Sequence, residues 1–262
     1  MQENSFAQDD AYKGLGKIPV PELLSDERAP IPLSDLDPVL IVSPHPDDET
    51  LGCGGLIAHC ARKFYPVCVL AMTDGNASHP GDDAWRKALG ETRRGEQRNA
   101  LKALGLSHPD VISLALPDGQ MEQLADAARA RAVESIRDII RSRKPRSVFV
   151  PAIDDCHGDH RETARLVLQA VRTCPVEYLF SYQIWSPEER RSHILGSEVT
   201  YSHDISALLP LKQRAVEAHR SQLGVTDPDH PEGFRMPRSL LEAKLNSQES
   251  YALVSDLAAW GG

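Results

Sequence analysis

Aromatic residues and long apolar runs are scarce in this sequence, and each shortage excludes a class of function. Phe, Trp and Tyr make up only 5% of the 262 residues, which leaves no aromatic surface on which single-stranded nucleic acid could stack. No apolar run reaches the roughly eighteen residues of a membrane-spanning helix. Residues 1–30 lack the basic and then apolar pattern of a signal peptide. We therefore expect a cytoplasmic protein without a membrane span.

Positive charge is also in short supply. The chain has 29 Lys and Arg residues against 38 Asp and Glu residues, which gives a formal net charge of −9. A phosphate backbone is bound by clustered Lys and Arg side chains. A nucleic-acid partner is therefore not expected.

The five cysteines are odd in number and scattered along the chain, which argues against a disulfide framework. We predict reduced, partly buried thiols, as is usual in the cytoplasm. Cys156 stands beside His157 and has the chemistry of a metal ligand, but we favour a role as a small packing residue.

Apolar runs alternate with helical stripes through residues 39–173. Short, continuous apolar runs predict strands at 39–43, 66–72, 111–116 and 147–150. Apolar residues at helical spacing predict helices at 52–63, 91–104, 124–141 and 161–173. Continuous apolar strands are typical of parallel sheets that are covered on both faces. We therefore predict an α/β fold, with a doubly wound, mostly parallel, Rossmann-like sheet and helices on both faces.

Length and proline content predict the domain organisation. A chain of 262 residues fits one α/β domain. Residues 1–38 are polar and interrupted by prolines, so we predict a surface arm there and a single domain over 39–262. Within that domain we expect 176–262 to determine substrate specificity.

The C-terminal part carries weaker patterns. Strand-like runs occur at 176–185 and 199–203, and helical spacing extends from 211 to about 223. The stretch 224–237 is rich in proline, glycine and charge, and it fits either a lid over a pocket or a connector, with the connector slightly favoured. Three residues of this part are candidates either to line the pocket mouth or to pack: Trp185, His203 and Phe234.

Two clusters of histidine and carboxylate residues follow predicted strands. Pro44-His45-Pro46-Asp47-Asp48-Glu49 comes after the first strand, and His157-Gly158-Asp159-His160 comes after the fourth. Ligand sites in such folds lie at the carboxyl ends of the strands. Imidazole and carboxylate are ligand types of zinc, and the absence of an obligatory thiolate favours an open, catalytic site. Each cluster alone could be an ordinary solvated loop, but together they indicate one shared metal site.

The two adjacent aspartates suggest a division of labour. Neighbouring side chains point in different directions, so one aspartate can bind the metal while the other faces a metal-bound water. A Lewis acid and a carboxylate that accepts a proton are the requirements of metal-assisted hydrolysis.

The motifs resemble those of the PIG-L/LmbE family, which contains zinc-dependent N-acetylglucosaminyl deacetylases. The resemblance covers roughly residues 38–223 and weakly the end of the chain. It rests on the following segments: Ser43–Gly55, Thr73-Asp74-Gly75, Arg93-Arg94-Gly95-Glu96, Pro117-Asp118-Gly119 and His157–His160, with weaker similarity at Lys212, His219–Gln222 and Glu249–Tyr251.

The resemblance implies a role for each motif residue. It implies that His45, Asp48 and His160 hold one Zn²⁺ per chain, which leaves positions for water and substrate. It implies that Asp47 is the general base and that His157 assists the oxyanion or the leaving group. Whether Asp47 or His157 is the general acid stays open.

Further roles are implied for residues around these. Asp159 is expected to orient His157, and Arg93 and Asp118 are expected to bind substrate. An ion pair on a helix surface is the alternative for Arg93 and the favoured reading for Arg94. Glu49 is expected to support the loop or to cap the following helix.

The expected substrate is a small N-acetylated amino sugar, and homo-oligomers would fit the family. Two other functions stay open. One is a metal-dependent phosphoesterase, since aspartates and histidines at strand ends also build two-metal sites. The other is a non-catalytic, Rossmann-like nucleotide-binding module, since Gly52, Gly54 and Gly55 are a weak echo of the dinucleotide motif.

Overall fold

The computed structural model describes residues 29–185, 200–224 and 233–254. Its strands are β1 Ala29–Pro30, β2 Val39–Ser43, β3 Val67–Thr73, β4 Asp110–Leu116, β5 Ser147–Pro151, β6 Tyr178–Tyr182, β7 Thr200–Asp204 and β8 Gln248–Leu253. Its α-helices are α1 Asp48–Lys63, α2 Asp83–Ala103, α3 Asp126–Arg143, α4 Gly158–Val171, α5 Leu209–Glu217 and α6 Arg238–Lys244. Short 3₁₀ helices span Leu33–Asp35, Met121–Gln123 and Arg220–Leu223.

The strands form one sheet in the order β1-β7-β8-β6-β5-β2-β3-β4. All neighbours are parallel except β8, which is antiparallel to both β6 and β7. Val39 and Ile41 of β2 pack in one core cluster with α1, α2 and α5, whereas Leu40 and Val42 pack in a second with α3 and α4. Alternate residues of a strand face opposite sides, so helices cover both faces. The predicted fold class is confirmed.

The central βα units follow the predicted pattern with one large shift. Helix α2 begins at Asp83 rather than near residue 91, because the Asp82 side chain accepts a hydrogen bond from the Trp85 backbone N–H at 2.8 Å and caps the helix. Its first turns are mostly exposed, so they carry no apolar stripe for the sequence pattern to reveal.

The C-terminal part holds two elements that periodicity did not predict, α6 and β8. In strand β8, Glu249 is buried while its two neighbours are exposed or half-buried. A charged residue at a buried position breaks the alternation of apolar and polar residues from which a strand is predicted. Helix α5 ends at Glu217, and the remainder of the predicted helix is the 3₁₀ turn Arg220–Leu223. Of the predicted lid or connector, residues 225–232 lie outside the described residues.

Residues 29–38 differ from the predicted surface arm. Strand β1 pairs in parallel with β7 at the sheet edge, and Ile31 and Leu36 are buried in the core. These two residues are isolated between prolines and polar residues, so they show no periodicity. Residues 1–28 of the predicted arm lie outside the described residues. Within the described ranges, no helix has the length and apolar character needed to cross a membrane.

Candidate active site

The two predicted motifs meet at the carboxyl edge of the sheet. Strand β2 lies between β3 and β5, so the loop that begins at Pro44 stands next to the start of α4, which follows β5. A cavity of about 220 Å³ opens here and is lined by residues of both motifs. Its inner lining consists of His45, Asp47, Asp48, Leu51, Arg93, Asp118, Gly119 and His157.

His45, Asp48 and His160 converge on one point. Asp48 Oδ2 lies 3.1 Å from His45 Nδ1 and 3.2 Å from His160 Nε2. One potential ligand atom from each of the three residues lies within 4.8 Å of the others. The structure therefore brings together the three residues that the sequence nominated as metal ligands.

The donor set of this trio fits a metal ion. Both ring nitrogens of His160 are buried and form no hydrogen bond of acceptable geometry, although Asp48 and Asp155 oxygens each lie 3.2 Å away. Buried polar atoms are normally satisfied, and two imidazoles with one carboxylate are a common zinc set. These residues could hold a metal ion.

The charge state of Asp48 suits a ligand. Burial acts to raise its pKa, but His160 and His45 outweigh burial and hold the pKa of Asp48 well below its usual range. Burial acts to lower the pKa of His160, yet Asp48 and Asp155 raise it to about 9. A carboxylate must be deprotonated to bind a metal, and Asp48 meets that condition at neutral pH.

Two further carboxylates hold the far side of the His45 ring. His45 Nε2 lies 3.1 Å from Asp118 Oδ1 and 3.2 Å from Asp159 Oδ2. Backbone N–H groups fix both acids: Ala77 donates to Asp118 at 2.6 Å, and Gly119 donates to Asp159 at 2.7 Å. Such partners set the tautomer and orientation of a ligating histidine, and here they turn Nδ1 toward Asp48.

These contacts differ from the partners that the resemblance implied. Asp159 was expected to orient His157, but its carboxylate contacts His45, and only its backbone N–H donates to His157 Nδ1 at 3.2 Å. Asp118 was expected to bind substrate. It lines the cavity, but both of its carboxylate oxygens are engaged by His45 and Ala77. Although burial opposes the shift, hydrogen bonding to His45 lowers the pKa of Asp118 to about 2.

Asp47 lies beside the trio and has a different environment. Its Oδ2 accepts a hydrogen bond from Arg93 Nη2 at 2.9 Å. Arg93 is itself buried and donates to the Gly75 and Pro46 carbonyls at 2.7 and 3.3 Å. Burial raises the pKa of Asp47 to about 7, even though Arg93 acts to lower it. Arg93 thus lines the cavity as the partner of Asp47.

His157 lines the same cavity and lies close to His45 and Asp159. Its ring centroid is 4.9 Å from those of His45 and His160. Burial and the two neighbouring imidazoles lower the pKa of His157, so its neutral form is favoured at neutral pH. Since Nδ1 accepts from the Asp159 N–H, the proton of the neutral ring resides on Nε2.

Sequence reasoning missed Asp155. Its Oδ2 lies 3.2 Å from His160 Nδ1 and accepts the Trp185 backbone N–H at 3.1 Å, while its Oδ1 accepts the N–H of His157 at 2.9 Å. Asp154 is its neighbour in the same turn, and nothing in the local sequence distinguishes the two.

The outer wall of the cavity is apolar and comes from the C-terminal part. It consists of Ile184, Trp185, Phe234, Met236 and Leu240, with Gln222 between them. The Trp185 and Phe234 rings are in edge contact, with centroids 6.3 Å apart. Of the three mouth candidates, these two line the cavity. His203 is buried elsewhere, with Nδ1 4.0 Å from Glu249.

Comparison with known proteins identifies the family. Residues 40–171 match the PIG-L family, described as GlcNAc-PI de-N-acetylase. The chain is 31% identical over 189 residues to a probable N-acetyl-alpha-D-glucosaminyl L-malate deacetylase 2 of Bacillus subtilis, which covers 70% of this chain and 82% of the relative. The chain belongs to the PIG-L family, and it is an enzyme of the amide hydrolase class.

Two further comparisons agree with this assignment. The diacetylchitobiose deacetylase of Thermococcus kodakarensis is 27% identical over 199 residues, covering 73% of this chain and 72% of that protein. The solved structure of N,N'-diacetylchitobiose deacetylase from Pyrococcus horikoshii superposes with a TM-score of 0.63 over 85% of both chains, at 22% identity. That structural likeness supports the fold.

Proposed function

We propose that the chain is a zinc-dependent hydrolase that removes the N-acetyl group from an N-acetylglucosamine-type sugar or its conjugate. The observation that carries this proposal is the pair of adjacent aspartates: Asp48 lies between two imidazoles, while Asp47 lies beside it in the same cavity with a pKa of about 7. One carboxylate is equipped to bind a cation and the other to accept a proton.

His45, Asp48 and His160 would hold the zinc ion, with Asp118, Asp159 and Asp155 fixing the two imidazole rings from behind. When bound, zinc lowers the pKa of water and polarises the acetamide carbonyl. Three protein ligands would leave positions for water and substrate, as in catalytic rather than structural zinc sites.

Asp47 acts as the general base in this proposal. A base is most effective when its pKa lies near the working pH, and burial places the pKa of Asp47 at about 7. Arg93 occupies one oxygen of the carboxylate at 2.9 Å and thereby fixes its orientation. We infer that Arg93 serves the reaction through Asp47 as well as through any direct contact with substrate.

His157 lines the same cavity as Asp47, so it is able to act on a substrate bound there. Its neutral ring carries the proton on Nε2, so it can donate a hydrogen bond to the carbonyl oxygen as negative charge develops there. The amine must gain a proton to leave. Asp47, after accepting a proton, and His157 are the two groups able to supply it.

Two observations weigh against the alternative functions. Among the described residues there are two candidate metal-binding trios, His45 with Asp48 and His160, and His45 with His157 and Asp159. Both contain His45, which favours one ion over the two of a phosphoesterase. The glycines at 52, 54 and 55 lie inside α1 against Tyr182, Lys212 and Ile205. Close packing therefore accounts for them without a dinucleotide.

The C-terminal part would select the substrate. Described residues from 184 onward supply the apolar lining of the cavity that also holds His45 and Asp118, so the group attached to the sugar meets this lining in our proposal. The cytoplasmic location and self-assembly stay predictions.

The experiment that tests the function is a hydrolysis screen. Purified protein with its zinc quantified would be mixed with N-acetylglucosaminides that carry different aglycones, and amine release would be measured. We expect about one zinc per chain and release from at least one compound. No release by zinc-loaded protein would contradict the substrate class, and failure to bind zinc would contradict the metal site.

A further inference from the structure

A second buried polar cluster meets α1, and none of its residues is among those that line the cavity. Glu249 of β8, Lys212 of α5 and Tyr251 of β8 are all buried against the middle of this helix. Lys212 Nζ donates to Glu249 Oε1 at 2.8 Å, and the Tyr251 hydroxyl donates to Glu249 Oε2 at 2.6 Å. We call these three residues the Glu249 cluster.

The Glu249 carboxylate also binds the backbone of α1 directly. Gly55 N–H donates to Oε1 at 2.7 Å, and Leu56 N–H donates to Oε2 at 2.9 Å. In a regular helix these N–H groups would bind the carbonyls of residues 51 and 52. The Tyr251 hydroxyl oxygen lies 3.4 Å from the Gly52 carbonyl oxygen. The Glu249 carboxylate therefore holds the backbone of α1 directly at Gly55 and Leu56.

The glycines of α1 make room for this contact. A Cβ atom at Gly54 would lie 3.0 Å from Lys212 Cγ, and one at Gly55 would lie 2.2 Å from Ile205 Cγ2 and 3.0 Å from Glu249 Oε2. Glycine is unfavourable inside a helix relative to alanine. A buried ion pair is also a weak source of stability. The glycines inside α1 and the buried ion pair thus lie at the same place on the helix, and a gain in folding stability explains neither of them.

Position along the helix supplies the explanation. Helix α1 begins at Asp48, with Asp47 as its preceding residue, so Glu249 binds the helix at Gly55 and Leu56, about two turns beyond both aspartates. The same C-terminal part also binds α1 closer to its start, where His219 Nε2 lies 3.0 Å from Thr50 Oγ1. Contacts from α5, the turn after it and β8 therefore fix α1 from Thr50 to Leu56.

We propose that Glu249, held by Lys212 and Tyr251, is a positioning residue that sets the place of the first turn of α1 and thereby of Asp47 and Asp48. The inference rests on the proposed function, because it concerns the metal ligand and the base of that reaction. Glu249 contacts neither substrate nor metal. It acts through the backbone of the helix on which Asp48 lies.

The test compares Glu249→Gln with a control of matched stability. Glutamine keeps the shape of the side chain but presents only one acceptor oxygen to two backbone N–H groups. We expect zinc affinity, measured by chelator competition, to fall by up to about 10-fold, less than on removal of a direct partner of a ligand. With zinc saturating, we expect kcat to fall while KM changes by less than about twofold, since no substrate contact is removed.

Ile136→Ala supplies the control, because Ile136 is buried in α3 within the other core cluster. Its loss of stability, measured by denaturant unfolding, should leave zinc affinity and kcat at their wild-type values. Tyr251→Phe is a milder variant that removes one donor to Glu249, and it decides the question if Glu249→Gln does not fold.

Wild-type zinc affinity and kcat in the folded variant, or equal losses in Ile136→Ala, would overturn the positioning role. The proposed function fails separately, through a wild-type protein that binds no zinc. The zinc measurement requires no substrate, so the two failures are distinguishable.

Discussion

Helix α1 meets two buried polar clusters of opposite character. At its start, Asp48 lies between His45 and His160, and both His160 nitrogens lack hydrogen bonds of acceptable geometry. In its middle, the Glu249 carboxylate accepts hydrogen bonds from Lys212, Tyr251 and two backbone N–H groups. One cluster has unmet bonding capacity and opens on a cavity, whereas the other is satisfied and closed.

The difference shows that clusters of buried charged residues can have two distinct roles. A satisfied cluster of this kind specifies the position of an element, because its donors and acceptors admit one arrangement. A cluster in which a buried imidazole, here that of His160, faces carboxylates without forming a hydrogen bond of acceptable geometry fits a metal ion bound by those side chains. Burial alone would not separate the two, since Asp48, His160, Lys212 and Glu249 are all buried.

The largest expected effect follows from removing a ligand at the start of α1. His160→Ala should lower bound zinc from about one per chain toward zero and lower amine release by at least about 1,000-fold, because the water is no longer activated. Elemental analysis and the hydrolysis assay measure the two quantities. A His160→Ala protein that retains one zinc would remove this residue from the ligand set.

Breaking the closed cluster should act on stability. Lys212→Met leaves the Glu249 carboxylate buried without its cation, and loss of one partner of a buried pair costs about 3–5 kcal/mol of the free energy of unfolding. Urea unfolding of the two proteins would measure this cost. A loss below about 1 kcal/mol would show that the cluster is more hydrated than the structure indicates.

An intermediate effect is expected at Asp155, which supports His160 from behind. Asp155→Asn removes the charge 3.2 Å from His160 Nδ1 while keeping the shape. We expect zinc affinity to fall by about 10–100-fold, with the stoichiometry at saturating zinc unchanged. Asp154→Asn is the matched control on the neighbouring residue, and equal losses in both variants would contradict a specific role for Asp155.

The smallest effect is expected for an exposed ion pair outside both clusters. Arg238 Nε lies 2.7 Å from Glu242 Oε1 on α6, and the two side chains are 91% and 63% exposed. Arg238→Ala should change the free energy of unfolding by no more than about 0.5 kcal/mol, because water screens the pair. A larger loss would mean that the short distance between the two charges, rather than their burial, determines how much an ion pair contributes to the free energy of unfolding.

The central strands β2, β3 and β5 could be predicted because they are buried along their whole length and appear as continuous apolar runs. Strand β4, at the sheet edge, is only partly buried. The two motifs could be placed in one site because each follows the end of a strand, and parallel strands end at one edge. The assignment of His45, Asp48 and His160 as metal ligands came from the resemblance to the family and not from this rule of topology.

The remaining features depend on contacts between distant segments. The hydrogen bonds that turn Asp118 and Asp159 toward His45 come from Ala77 and Gly119, and no local pattern encodes them. Likewise, glutamate is a residue type that is usually exposed, so the sequence gives no sign that Glu249 is buried. Its burial follows from the insertion of β8 between β6 and β7, which sequence periodicity does not reveal.

The central claim is that adjacent aspartates divide two tasks, with Asp48 binding the metal and Asp47 accepting the proton. The most direct test measures zinc content and kcat together for Asp47→Asn. The account predicts about one zinc per chain with kcat lowered by about 10²–10⁴-fold, the usual contribution of a general base. Near-full turnover, or loss of the zinc itself, would contradict this division.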